Sequence, residues 1–155
     1  MEDLKLSPIL KVSEVELIYK TKIKASERLS VKQTRDAYLI FQQYWNENKL
    51  ELQEQFNLML LNQANKVLGI CNISTGGVTE TVVDSKLIFL YALKANATRI
   101  IVAHNHPSGS LKPSSADISL TKKLNEGARL LDLSLLDHII ITAESYYSFA
   151  DEGKL

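Results

Sequence analysis

The run TRIIVAH, residues 98–104, constrains the fold more than any other stretch of the chain. A strand with one wet face alternates apolar and polar residues, whereas this run is continuous, so it predicts a central strand covered on both faces. LLDHIIIT, residues 135–142, predicts a second buried strand. Between them, SSADISLTKKLNEGARLL reads as a helix whose inward stripe is Thr121, Leu124, Ala128 and Leu131.

Upstream, VSEVELIYKTKI (12–23) alternates loosely and predicts an edge strand. SVKQTRDAYLIFQQYW (30–45) predicts a helix, with Ser30 as N-cap, Gln33 closing a capping box, and Ala37, Ile40, Phe41 and Tyr44 on its apolar face. FNLMLLN and KVLGICNIS flank the turn QAN and predict an antiparallel hairpin, which Gly76 and Gly77 end. Asp84 is the expected N-cap of SKLIFLYALKANA, apolar around nearly its whole circumference and therefore expected to be buried. YYSFA closes the sheet. Helices alternating with strands after an initial hairpin indicate an α/β sandwich around a mixed sheet, in which ligands sit beyond the carboxyl ends of strands.

Length and composition bound the rest. A chain of 155 residues predicts one domain, 1–155, with a core that needs no staples. No apolar run reaches the ~18 residues that span a bilayer. The start MEDLKLSPIL lacks the order of a signal peptide, and the single cysteine, Cys71, falls in a strand as an expected buried thiol. These features together favour the cytoplasm. Eighteen basic residues balance eighteen acidic ones, so charge gives no support to nucleic-acid binding, and the lysines and arginines of the N-terminal third read as a solvated surface.

The chemistry is concentrated in HNHPSGSLKPSSAD, residues 104–117. His104 and His106, at i and i+2 of a strand, face the same side, and Pro107 ends the strand so that both imidazoles stand at its tip. Two imidazoles can share one cation, but a catalytic zinc site usually needs three protein ligands. The third is expected from the next helix, where one turn back from Thr121 lies Asp117. An acid there is also what a helix start favours by itself, with Ser114 as N-cap. Both readings of Asp117 stand at this point. His138, after Asp137, is expected to form a buried pair that braces the sheet, the alternative being a role behind the metal ligands.

HNHPSG followed by KPSSAD resembles the RadC family, a branch of the JAMM (MPN+, JAB) zinc metalloprotease fold. The likeness runs on through ADISLTKKLNEGARLLDLSLLDHIII and SFADEG. It implies a three-layer JAB/MPN, cytidine-deaminase-like architecture. It implies further that His104, His106 and Asp117 bind zinc and that Ser114 helps to hold an oxyanion. Two departures stand out. Full RadC proteins carry an N-terminal helix-hairpin-helix segment, which this chain is too short to include. JAMM peptidases also use an upstream glutamate as general base. The corresponding LGICNIST holds no acid, and neither Glu80 nor Asp84, committed to a helix cap, replaces it. The HPRE that usually precedes the buried helix is here Asp84, Ser85, Lys86 and Leu87.

One cysteine excludes the usual nucleobase-deaminase site, and HPSGS is not a nucleophile elbow. The expectation is a zinc-dependent hydrolase of a peptide or isopeptide bond. The alternative is a non-catalytic module of the same fold, binding protein or DNA in repair or mobile-element maintenance. No membrane partner is expected.

Overall fold

The computed structural model describes residues 13, 15–16, 18–77 and 82–155. Its five strands form one mixed sheet: β1 (Gln55–Leu61), β2 (Val67–Thr75), β3 (Arg99–Asn105), β4 (Ser134–Ile141) and β5 (Tyr146–Ser148), in the order β2-β1-β3-β4-β5. The β1–β2 hairpin turns at Asn65, which takes the left-handed conformation that asparagine tolerates (φ 55°). β1 also runs antiparallel to β3, β3 is parallel to β4, and β5 returns antiparallel on the edge. The TRIIVAH run is therefore the middle strand.

Side chains alternate across β3, which accounts for its continuous apolar run. Ile101 and Ala103 join Met59, Ile139 and Phe41 of α1 (Thr34–Tyr44) on one face. Ile100 and Val102 pack on the other with Leu58, with Ile88 and Ala92 of α2 (Ser85–Lys94), and with Leu124 and Ala128 of α3 (Ser115–Leu130). The result is the expected three-layer α/β sandwich. His104 continues the α2/α3 side.

Several local expectations are corrected. Residues 12, 14 and 17 lie outside the described residues, and the rest of 12–23 makes no strand; the Tyr19 hydroxyl donates to the Leu68 carbonyl of β2 at 3.0 Å. Ser30 does not cap α1, because it is held extended in a bridge to Lys66. Gln33 takes the cap position, and the Asp36 carboxylate accepts from the Lys32 and Gln33 amides at 2.8 and 3.1 Å. Those bonds hold the Asp36 carboxyl below the usual carboxylate range. Tyr44 turns outward, and Trp45 is buried in its place. Asp84 caps α2 as expected, accepting from the Lys86 amide at 2.9 Å. The helix is not buried all round, however: it meets the sheet through Ile88 and Ala92, one i, i+4 stripe, and leaves Leu90 and Leu93 about half exposed. Leu131, past the end of α3, is also exposed. Cys71 is half-buried on β2, and that burial pushes its thiol up to about 11. Among the described residues no helix is long and apolar enough to cross a membrane.

Candidate metal centre

The last residues of β3 and the first turn of α3 meet at one end of the sheet. His104 sits inside the strand, opposite Phe56 of β1 and beside Ile140 of β4, and is 1% exposed. His106 follows after the ladder ends; its amide still donates to the Ile141 carbonyl at 3.1 Å. Pro107 and Ser108 then turn, and Gly109 adopts φ 79°, a value that costs glycine nothing. The turn brings the Ser110 carbonyl 2.7 Å from His106 Nδ1. A carbonyl only accepts, so Nδ1 carries the proton and Nε2 of the neutral ring is left bare.

At the start of α3, Ser114 is the N-cap. Its hydroxyl accepts from the Asp117 amide at 3.1 Å, and its own amide donates to Asp117 Oδ2 at 2.7 Å. The capping box aims the carboxylate instead of consuming it. Asp117 Oδ1 lies 3.1 Å from His104 Nε2, Oδ2 lies 3.4 Å from His106 Nε2, and the two Nε2 atoms are 3.0 Å apart. Asp117 is thus a partner in the helix cap, one of the two readings the sequence left open, and its carboxylate also faces the two imidazoles. The three side chains offer ligand atoms all within 4.8 Å of one another, a set that could hold a metal ion. They open on a cavity of about 640 Å³ whose lining includes Glu54, Phe56, Ser114 and Leu120.

Without a cation, the arrangement shares protons. The bond from Asp117 raises the pKa of His106 against an opposing burial cost, and the Ser110 carbonyl adds to the rise. Burial would raise Asp117, but its bonds with His104 and His106 outweigh that and hold the carboxyl far below the usual carboxylate range.

Residues 31–154 match the family model described as RadC-like JAB domain. The chain belongs to that family. Curated relatives include a UPF0758 protein of Flavobacterium johnsoniae, 44% identical over 120 residues that cover 77% of this chain and 51% of the relative. UPF0758 proteins of Porphyromonas gingivalis and Alkaliphilus metalliredigens are 48% and 42% identical, each over 66% of this chain and 46% and 44% of the relative. The chain spans about half the length of the curated relatives it matches.

Within this RadC-like JAB domain, two residues of the site escaped the sequence reading, and a third was expected first as a partner of Asp137. Glu54 precedes β1, and the pairing of Phe56 with His104 sets it beside the histidine-bearing end of β3. It lines the cavity, and its charge contributes to the rise of His106. LGICNIST, on β2, holds no acid; Glu80 lies outside the described residues, and Asp84 is occupied as a cap. Gly76 and Gly77, which end β2, also exchange backbone bonds with Glu54 at 2.8 and 3.0 Å. An acid immediately before the strand that pairs with β3 was the available signal.

Asn105, between the histidines, points to the opposite face and is fully buried. Its Nδ2 donates to the Leu50 and Gln53 carbonyls at 2.7 and 2.9 Å, and its Oδ1 accepts from the Gln55 amide at 2.7 Å. It thereby staples both flanks of Glu54 to β3. The third is His138. It does not pair with Asp137, because adjacent strand residues face opposite ways. Asp137 instead accepts from Ser148, Thr34 and the Ala150 amide near α1, and burial raises its carboxyl. His138 turns to the metal centre, with Nε2 2.8 Å from His104 Nδ1.

Proposed function

We propose that this domain is a zinc-dependent hydrolase of a peptide or isopeptide bond, with His104, His106 and Asp117 holding the metal. The observation that carries the reading is the convergence of the three ligands. With Zn–N and Zn–O bonds of about 2.0–2.1 Å, the edge of a coordination tetrahedron is about 3.3 Å. The two Nε2 atoms are 3.0 Å apart and each lies near that edge length from one oxygen of the Asp117 carboxylate, His104 at 3.1 Å from Oδ1 and His106 at 3.4 Å from Oδ2. Two imidazole nitrogens and a carboxylate pointed at one another are a donor set that suits a divalent cation. Three protein ligands also leave one position open, as catalytic zinc sites do.

Zinc held there supplies Lewis acidity, polarising a scissile carbonyl and lowering the pKa of a water towards about 7. The protein's own groups do the rest. Glu54 is the acid available in the cavity to take the proton of the attacking water and pass it to the leaving amine. The Ser114 hydroxyl accepts from the Asp117 amide, which leaves its hydrogen free to donate to an oxyanion. Phe56 and Leu120 give that cavity apolar walls, which strengthen the electrostatics inside it. A cytoplasmic setting fits the lone half-buried thiol.

The test combines metal content with turnover. Elemental analysis of protein purified without added zinc is expected to find about one equivalent per chain. Zinc-loaded protein is then offered a peptide library and isopeptide-linked conjugates, with cleavage read by mass spectrometry. Glu54→Gln is expected to keep its zinc and lose at least about a hundredfold in rate. Less than a tenth of an equivalent, unmoved by zinc titration, sinks the metal. Full zinc with no cleavage in either pool favours a metal-bearing binding module.

A further inference from the structure

We propose that Thr121 and His138 are positioning residues: a hydrogen-bond relay that keeps the proton of His104 on Nδ1 and so leaves its Nε2 lone pair turned to the metal. The proposal rests on the zinc reading for its purpose, though the relay itself is a property of the metal-free chain.

The direction of each bond follows from counting donors. A threonine hydroxyl has one hydrogen. Thr121 Oγ1 lies 2.6 Å from the Asp117 carbonyl, which can only accept, so the hydrogen is committed there. The same oxygen lies 2.6 Å from His138 Nδ1 and must therefore accept from it. His138 is wholly buried, stacked at 4.9 Å on Phe149 and edge-on to Phe56 at 5.6 Å, surroundings in which a charged imidazole is disfavoured. A neutral ring with its hydrogen on Nδ1 can only accept at Nε2. That atom is 2.8 Å from His104 Nδ1, which must donate. With that hydrogen on Nδ1, Nε2 is the ring atom left to face the Asp117 carboxylate and the metal position, and whenever the ring holds a single hydrogen its lone pair lies there.

The relay also closes on itself. It starts at the main-chain oxygen of Asp117, crosses from α3 to β4 to β3, and returns to Asp117 Oδ1, 3.1 Å from His104 Nε2. One residue thus supplies a carboxylate to the metal position and anchors the device that orients its neighbour. His106 has a shorter equivalent in the Ser110 carbonyl. Partners of this kind typically alter metal affinity ten- to a hundredfold.

Removing the hydroxyl makes a prediction that a purely structural role does not. In Thr121→Val, His138 Nδ1 loses its acceptor, so the ring gains by moving its hydrogen to Nε2. His104 Nδ1 must then accept, and the His104 hydrogen moves to Nε2, where zinc would have to displace it. Thr121→Ser keeps the hydroxyl and is the conservative control.

The experiment follows the imidazole protons of the full, zinc-free chain by nitrogen-15 NMR at about pH 8.5, where unperturbed histidines are neutral, and measures zinc affinity by competition with a chelator. In the wild type, the shared proton is expected on His104 Nδ1, with a coupling across the hydrogen bond to His138 Nε2. In Thr121→Val it is expected on His138 Nε2, with zinc affinity down ten- to a hundredfold, while Thr121→Ser behaves as the wild type. A wild-type proton on His138 Nε2 overturns the relay. So does a folded Thr121→Val that binds zinc within about threefold of the wild type. If Thr121→Val does not fold, the wild-type spectrum and Thr121→Ser still decide. Should the wild type take no zinc, the zinc reading falls, and the proton position judges the relay separately.

Discussion

Asp117→Asn tests the centre most directly, because asparagine copies the shape of aspartate and the capping bond but not the charge. The amide oxygen of the introduced side chain can still accept from the Ser114 amide, as the carboxylate does at 2.7 Å. As a helix-start residue alone, the change should cost less than about 1 kcal/mol. The lost interaction with His106 is larger but depends on pH. A hydrogen bond between charged partners contributes about 1.5–3 kcal/mol, and this one is charged on both sides only while the imidazole is protonated. The pKa of His106 is raised in the folded protein, so its contribution is fully present below about pH 6.5, the unfolded value, and is lost as pH rises through the folded one. The carboxyl of Asp117 is depressed and stays ionised throughout that window. A domain of this size loses about 2–4 °C of melting temperature per kcal/mol. The zinc-free variant should therefore melt up to about 4 °C lower than wild type at pH 9, and about 3–12 °C further below it at pH 6. Zinc occupancy should fall below about a tenth of an equivalent at either pH, because the ligand charge is gone. Melting curves of the zinc-free proteins and elemental analysis of the loaded ones read both effects. Full zinc occupancy in Asp117→Asn refutes the ligand assignment; an equal melting shift at both pH values refutes the account of His106.

Asn105→Leu should destabilise by about 3–5 kcal/mol, since it leaves the Leu50 and Gln53 carbonyls and the Gln55 amide without their buried partner. Urea melts check it, and a loss under about 1 kcal/mol would show that Asn105 does not hold the Glu54 segment. Zinc retention should decline as pH falls from 8 to 5, because only neutral imidazole ligates. The raised pKa of His106 starts that decline above pH 6.5. Flat retention across the range would mean that the histidines are not ligands.

Local chemistry made much of the fold legible. The β1–β2 hairpin, the Asp84 and Ser114 caps, the central place of β3 and the shared face of His104 and His106 each follow from a period, a turn or a cap within a few residues. Local reading failed where a distant partner prevailed. Ser30 was drawn into a bridge with Lys66 and so lost the cap to Gln33. The apolar circumference of α2 is covered only in part: Ile88 and Ala92 are fully buried and Leu87 and Phe89 pack against the core, while Leu90 and Leu93 stay about half exposed.

Sequence alone determined where the candidate ligands stand: strand alternation sets His104 and His106 on one face at a strand tip, and helix periodicity turns Asp117 inward at the start of the next helix. The tertiary structure decided what surrounds them. Glu54 and His138 are remote from the motif along the chain, and only the pairing of β1 and β4 on either side of β3 brings them to it. Register is a property of two strands together. An acid before one strand, or a histidine within another, carries no sign of its neighbour until the hydrogen bonds between the strands are made.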